Sequence, residues 1–199
     1  SYQLLADTLQ LYGADGYLQD HPIEQYLRDA KIDSLYEGTT AIQAQDLFFR
    51  KIMRDRGEAL GFVSARITEF LAGGRPELAS ARVALATALA DVTAMVATLT
   101  GYFAGAQTEP REIYRVGLSS VPFLLSLGDL LIGWLLLWQA DTSLAALERG
   151  ASGDDADYYR GKVAAAKFFA ANVLPRLSAE RRIVELSDLQ AMDLAEAAF

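Results

Sequence analysis

The sequence predicts an all-α fold, and three observations support this prediction. Over residues 49–70, and again over residues 85–103, apolar side chains keep the spacing of one helix face. Thr40 with Gln43, and Ser187 with Gln190, match the capping box that opens many helices. No stretch sustains the apolar–polar alternation of a half-buried strand. We therefore expect a helical bundle.

The amino-terminal part predicts two short helices followed by a long one. Residues 2–12 form the first helix, which Gly13 stops. Residues 22–32 form the second helix, because Pro22 suits a first helical position. After a loop, residues 40–71 are expected to form one continuous helix that begins at the first capping box.

The rest of the chain predicts long bundle helices. Residues 73–76, Gly-Gly-Arg-Pro, break the preceding helix. In the next helix, steps of four and three residues join the members of an apolar seam: Leu85, Leu89, Val92, Val96, Leu99 and Phe103. Further helices are expected over 110–150 and 156–174, separated by a turn at 153–155. Ser187 is expected to begin a last helix.

One apolar window allows a membrane alternative. Val121–Trp138 contains 18 residues and a single charge, Asp129, so its length just reaches that of a membrane span. A carboxylate in the middle of a lipid-embedded helix costs roughly 3 kcal/mol, and no basic flank sets a topology. We therefore expect a helix buried in the bundle, with an internal polar partner for Asp129.

Composition excludes several classes of function. The chain has 199 residues, which allows one or two domains with a sizeable core. Its net charge of -8 disfavours a nucleic-acid role, and no cysteine is present for disulfides or thiol chemistry. Ser1-Tyr2-Gln3 opens directly in helical sequence, without a leader and without an initiator methionine. We expect a cytoplasmic chain that begins inside a longer polypeptide.

Three neighbouring motifs carry the most functional information. Residues 10–17 read Gln-Leu-Tyr-Gly-Ala-Asp-Gly-Tyr, residues 21–29 read His-Pro-Ile-Glu-Gln-Tyr-Leu-Arg-Asp, and residues 36–43 read Tyr-Glu-Gly-Thr-Thr-Ala-Ile-Gln. In this order and spacing they resemble the signatures of the flavin-dependent acyl-CoA dehydrogenases. The resemblance covers roughly residues 3–54 without a gap.

The resemblance implies a two-part organisation. Residues 1–57 would complete the four-helix carboxyl-terminal domain of such a dehydrogenase and carry its catalytic loop. Residues 58–199 resemble the additional helical domain of larger bacterial members, in stretches such as Ala165–Ala170 and Leu174–Arg176. The segments that bind most of the FAD and the CoA are expected in an amino-terminal portion outside this chain.

The resemblance assigns the catalytic base to Glu37. In the family, this glutamate removes the α-proton of an acyl-CoA thioester while the β-hydrogen leaves as hydride to the flavin, giving a trans-2-enoyl-CoA. Removing so weak an acid requires a placed carboxylate and stabilisation of the enolate-like oxygen. The backbone N–H of Glu37 is expected to donate to that oxygen, and Gly38 to let the acyl chain approach the backbone. Both residues are thus predicted to bind substrate.

The resemblance also implies FAD as the cofactor. Three residues match positions that approach the FAD of the same subunit: Thr39, Thr40 and Ala41. Three others match a turn that meets the FAD of the neighbouring subunit: Gln10, Gly13 and Ala14. Ala41 stands where glutamine is common and Ala14 where a second glycine is usual, so only a backbone role carries over to Ala41. No metal site is predicted, because His21 is the one histidine and cysteine is absent.

The implied partners are an acyl-CoA substrate, the amino-terminal portion of the dehydrogenase, further copies in a dimer or dimer of dimers, and electron-transfer flavoprotein. These partners belong to fatty acid β-oxidation.

Alternatives remain open for single residues and for the whole chain. Glu37 can stabilise the amino end of the helix after it, Thr40 can be a plain cap, and Gly13 can be an ordinary helix stop. Arg28 and Asp29 are expected to form a salt-bridged pair that supports the loop rather than to bind substrate. For the chain, the alternative is a non-catalytic helical assembly subunit derived from the same family.

Overall fold

The computed structural model describes residues 2–198 and contains no strand among them, which confirms the all-α prediction. The α-helices, in chain order, are α1 (Tyr2–Leu11), α2 (Ile23–Lys31), α3 (Thr40–Asp46), α4 (Glu58–Ala72), α5 (Ala79–Gly105), α6 (Glu112–Glu148), α7 (Gly153–Asn172) and α8 (Arg176–Glu185). A π-helical segment, Leu47–Met53, directly follows α3. The chain divides into two compact units after Gln43.

The first unit, residues 2–43, packs α1 against α2 but buries few of its side chains. The ammonium of Lys31 lies 5.1 Å from the centre of the Tyr2 ring. Within this unit, Ile23 is the one large apolar side chain that is buried. Other large apolar side chains of the unit are exposed: Leu4, Leu11, Tyr17, Ile32 and Leu35. The unit therefore gains little stability from apolar burial among its own residues.

The second unit, from residue 44 to residue 198, has one apolar core, to which α5, α6, α7 and α8 contribute. The predicted seam of α5 is confirmed, because Leu85, Val92 and Leu99 are buried and the intervening seam residues pack against the core. Gly133 of α6 lies close to Leu174, since a Cβ at Gly133 would sit 2.8 Å from Leu174 Cδ2. Helix α6 thus packs closely against the segment that follows α7, and a side chain at position 133 would require Leu174 to shift.

Polar contacts with α5 attach α8 to the bundle. The Tyr102 hydroxyl of α5 donates to the Val184 carbonyl at 2.9 Å and accepts from Arg115 of α6 at 2.9 Å. The Ser178 hydroxyl of α8 donates to the buried carboxylate of Asp91 at 2.6 Å. Because a buried polar group left without a partner is costly, these bonds favour one placement of α8.

The predicted continuous helix over 40–71 is wrong. The helical path changes to π-helix at Leu47 and ends in a turn, where Arg56 and Gly57 both have positive φ, 56° and 76°. The Asp55 carboxylate then accepts a hydrogen bond from the Ala59 N–H at 2.7 Å and caps the start of α4. An aspartate two residues before a glycine was the available signal for this break.

Two further predictions near the carboxyl terminus are wrong. The expected turn at 153–155 is the first turn of α7, and α8 was not predicted. No α-helix begins at Ser187; residues 190–192 and 196–198 form short 3₁₀ turns instead. These residues bury no side chain, and a helix without a packed face is marginal in water.

Helix α6 has one buried face and one exposed apolar face. Phe123, Leu130 and Leu137 are buried in the core, whereas Leu125 and Ile132 are exposed. By length and composition alone, two stretches could cross a membrane: Pro76–Gly105 and Glu112–Glu148. A third of the most apolar window in each is buried within the structure, as in a bundle helix that packs on one side.

Asp129 of α6 does not have the hydrogen-bonded partner that the sequence led us to expect. No hydrogen bond to its carboxylate is present among the described residues. Partial burial raises the pKa of the Asp129 carboxyl, and the positive charge of Arg176 partly opposes this effect.

Replacing Asp129 with asparagine is expected to raise the melting temperature at pH 7. Because the pKa of Asp129 is raised in the folded state, stability falls as pH rises from the unfolded pKa, about 3.9, through the folded value. Asparagine cannot ionise, so the variant does not lose stability in this pH range. Thermal unfolding at pH 7 and pH 3 tests the idea: the gain should be present at pH 7 and small at pH 3. A variant that is less stable than the parent at pH 7 would contradict it.

Candidate active site

The loop that carries Glu37 has an unusual backbone. It follows a 3₁₀ turn at Ile32–Ser34 and precedes α3. Glu37 has φ 55° and Gly38 has φ 100°, so two consecutive residues are left-handed. This conformation is rare for a residue with a side chain, and it recurs at functional sites. Both residues are exposed, so the loop presents a carboxylate to the surface of the first unit.

The space around Gly38 is tight, and its backbone conformation favours glycine. A Cβ at this position would lie 3.0 Å from Ile42 Cγ2 and 3.3 Å from Ile42 Cβ, closer than most side-chain contacts. The left-handed φ adds a second penalty for any other residue. The glycine therefore lets the loop lie directly on the first turn of α3.

The predicted capping box at Thr40 and Gln43 is not formed. The Gln43 side-chain amide donates to the carbonyl of Glu37 instead of returning to Thr40. The backbone N–H of Gln43 donates to the Thr39 carbonyl at 3.1 Å, which joins the loop to the helix a second time. Gln43, which the sequence assigned to helix capping, thus binds the loop that carries the candidate base.

The residues predicted to approach FAD fall into two groups. Thr39 and Ala41 are exposed and Thr40 is half-buried, at the start of α3. The second group is exposed at the end of α1: Gln10, Gly13 and Ala14. Gly13 has φ 63°, and a Cβ there would meet nothing within 4 Å. Within the described part of the chain, no hydrogen bond or ion pair joins the two groups.

Both groups have features that suit a flavin nucleotide. Threonine hydroxyls, the Gln10 amide and the open backbone at Gly13 are hydrogen-bonding groups that a phosphate or ribityl chain uses. The methyl of Ala14 lies on the surface and does not fill a pocket of this unit. A surface cavity of this unit, about 600 Å³, is lined by other residues, among them Tyr2, Leu27 and Lys31. The roles assigned to both groups stay predictions.

The remaining sequence candidates have structural contacts. Arg28 pairs with Glu24 at 3.6 Å and not with Asp29, so the expected Arg28–Asp29 pair is wrong. Glu24 lies one helical turn before Arg28, whereas adjacent helical residues do not face each other. His21 packs against Tyr12, with ring centres 5.4 Å apart. Over residues 2–198, no group of three or more candidate ligands could hold a metal ion.

Comparison with known proteins agrees with the motifs. Residues 1–50 match the family model described as "Acyl-CoA dehydrogenase, C-terminal domain", and residues 63–195 match "Acetyl-CoA dehydrogenase C-terminal like". The chain belongs to the acyl-CoA dehydrogenase family. The gap between the two matches, at 51–62, contains the predicted domain boundary at 57/58, which stays a prediction.

Named relatives of this acyl-CoA dehydrogenase chain are similar over most of its length. The broad-specificity linear acyl-CoA dehydrogenase FadE5 of Mycobacterium tuberculosis is 56% identical over 100% of this chain and 33% of the relative. The 3-methylmercaptopropionyl-CoA dehydrogenase of Ruegeria pomeroyi is 38% identical over 90% of this chain and 30% of the relative. A butyryl-CoA dehydrogenase of Syntrophomonas wolfei is 28% identical over 100% of this chain and 32% of the relative. The chain therefore spans about a third of the length of these relatives.

Proposed function

We propose that this chain is the carboxyl-terminal part of an FAD-dependent acyl-CoA dehydrogenase that converts an acyl-CoA thioester into a trans-2-enoyl-CoA. The main support for the proposal is the position of Glu37. It is exposed on a left-handed loop, inside the Tyr-Glu-Gly-Thr signature that matches the family. A purely structural loop needs no carboxylate at this position.

Glu37 acts as the general base in this proposal. Its carboxylate takes the α-proton of the thioester, and its backbone N–H donates to the thioester oxygen, where negative charge develops. Gly38 leaves the backbone open to the acyl chain. FAD bound here would supply the acceptor for the β-hydrogen as hydride, so that loss of the α-proton to Glu37 and of this hydride would leave a double bond between the two carbons.

The residues of this chain that would hold the cofactor belong to two subunits. Thr39 and Thr40 offer hydroxyls, and Ala41 its backbone, to the FAD of their own subunit. Gln10, Gly13 and Ala14 contribute to the FAD of a neighbouring copy. A homo-oligomer, dimer or dimer of dimers, follows from this division. Electron-transfer flavoprotein is the proposed acceptor of the electrons.

The poor burial of the first unit supports a need for the amino-terminal portion. Its large apolar side chains are mostly exposed, and Ile23 alone among them is buried. Contiguous exposed apolar surface usually marks an interaction site. We propose that the amino-terminal portion of the dehydrogenase covers these residues and completes the sites for FAD and for the CoA moiety.

The direct experiment is an assay of the complete protein. The purified dehydrogenase, with its amino-terminal portion, is incubated with saturated acyl-CoA substrates and an artificial electron acceptor. We expect a product two hydrogens lighter, with its double bond between the α- and β-carbons, as read by mass spectrometry and NMR. A complete, flavin-loaded protein that binds acyl-CoA yet forms no enoyl-CoA would favour the non-catalytic alternative.

The 199-residue chain alone is expected to be helical but colourless. Its second unit has a continuous apolar core, whereas its candidate flavin contacts lie on an open surface. A dinucleotide usually needs a site that buries most of its surface. Circular dichroism and a visible absorption spectrum of the purified chain check both halves of this expectation. Stoichiometric flavin on the chain alone would place the cofactor site within these residues.

A further inference from the structure

The backbone of the candidate base needs support from its surroundings. Glu37 has φ 55°, although it carries a side chain, and the next residue is also left-handed. A residue with a Cβ stays in this region only when neighbouring contacts hold it there. The position of the Glu37 carboxylate therefore depends on whatever fixes the loop.

Gln43 is the residue that reaches this loop from α3. Its side-chain amide donates to the carbonyl oxygen of Glu37. Its own backbone N–H donates to the Thr39 carbonyl at 3.1 Å, which anchors Gln43 in the helix. A Cβ at Gly38 would lie 3.7 Å from Gln43 Nε2, so the amide also lies against the glycine that follows the base.

These contacts differ from those of an ordinary helix cap. In a capping box, the third residue of the helix returns its side chain to the backbone N–H of the cap residue. The Gln43 amide instead satisfies a carbonyl six residues earlier, that of the strained residue itself. Loss of this donor would leave the helix intact but free the peptide after Glu37 to rotate.

We propose that Gln43 is a positioning residue for the dehydrogenation: its amide holds the Glu37 peptide in the left-handed conformation and so places the carboxylate over the α-carbon. This inference rests on the proposed function of Glu37. Gln43 does not touch the reacting atoms in the proposal; it acts through the loop. A small displacement of a reacting group lowers the rate much more than it lowers binding.

The test replaces Gln43 with methionine in the complete flavoenzyme. Methionine keeps the length and helix propensity of glutamine but cannot donate a hydrogen bond. We expect kcat to fall about 10- to 100-fold, with KM, flavin content and melting temperature nearly unchanged. With α-deuterated acyl-CoA, the isotope effect on kcat should increase, because proton removal becomes more strongly rate-limiting.

A matched control is Gln45→Met. Gln45 lies on the same helix, is exposed, and its amide makes no hydrogen bond within the described residues. The Gln45→Met enzyme should keep the kcat of the parent enzyme. A Gln43→Met enzyme whose kcat stays within about twofold of the parent would overturn the proposal. An equal loss in both variants would also overturn it, because the loss would then come from the helix.

Two more variants keep the outcome interpretable. If Gln43→Met loses flavin or stability, Gln43→Lys restores a donor of sufficient reach. The activity of Gln43→Lys per bound flavin should then recover, when it is measured at a pH where the rate no longer changes with pH. An activity no higher than that of Gln43→Met would overturn the proposal.

Glu37→Gln is assayed in parallel. Full turnover by that variant would remove the role of Glu37 as the base, on which this inference rests, whereas an inactive Glu37→Gln beside a normal Gln43→Met would remove only the role of Gln43.

Discussion

Replacing Glu37 with glutamine is expected to lower the turnover of the complete dehydrogenase by about 10²–10⁴-fold or more. Glutamine keeps the shape of the side chain and its capacity for hydrogen bonds but cannot accept the α-proton. Because the backbone N–H is unchanged, binding of acyl-CoA and FAD should persist. Steady-state kinetics, flavin absorbance and titration with acyl-CoA measure the three quantities on one preparation.

Glu24→Gln is the matched control for this change. Glu24 is a second glutamate of the same unit, and its ion pair with Arg28 involves an exposed partner, so its loss should matter little. The control should turn over like the parent enzyme. Near-normal turnover by Glu37→Gln would show that another group removes the proton.

Replacing Leu137 with aspartate is expected to destabilise the second unit by about 4 kcal/mol or more, because it buries an unpaired charge. Leu137 lies on the core face of α6 and is 0% exposed. Its side chain packs in the core to which α5, α7 and α8 also contribute. Urea unfolding of the chain, followed by circular dichroism, measures the change.

Leu135→Asp is the control on the other face of α6. Leu135 is 45% exposed, so a carboxylate there can stay hydrated and should change stability by no more than about 0.5 kcal/mol. The pair also separates the bundle from the membrane alternative. If α6 lay in lipid, aspartate on the outward face would be at least as harmful as aspartate at Leu137. A larger effect at Leu135 than at Leu137 would contradict the bundle.

Patterns that repeat over several turns of helix were predictable from the sequence. The seam through Leu85, Val92 and Leu99 specifies one helix face, and the structure buries that face. The Gly-Gly-Arg-Pro break at 73–76 was equally clear, since α4 ends at Ala72 and α5 begins at Ala79. Both signals are local or periodic, and tertiary contacts reinforce them.

Features that depend on tertiary contacts were not predictable. Helix α8 is stabilised by contacts with α5 that are far away in sequence, such as the Tyr102–Val184 hydrogen bond. The residues after Ser187 have a good capping motif but no core to pack against.

The candidate site likewise combines residues that the sequence could identify with a contact that it could not. Glu37 and Gly38 could be singled out because the motif around them is contiguous and unusual. The bond from Gln43 to the Glu37 carbonyl could not, because a Thr-x-x-Gln pattern equally predicts an ordinary capping box. Only the left-handed backbone of the preceding loop brings that carbonyl within reach of the amide.

Exchange of the α-proton of a bound thioester shows directly whether Glu37 is the base. An acyl-CoA analogue whose β-carbon is replaced by sulfur cannot transfer a hydride, so exchange with D₂O reports proton removal alone. We expect that the complete enzyme with Glu37 incorporates deuterium at the α-carbon and that its Glu37→Gln variant, with the analogue still bound, does so at least about 10²-fold more slowly. Equal exchange rates in the two proteins would contradict the assignment of Glu37 as the base.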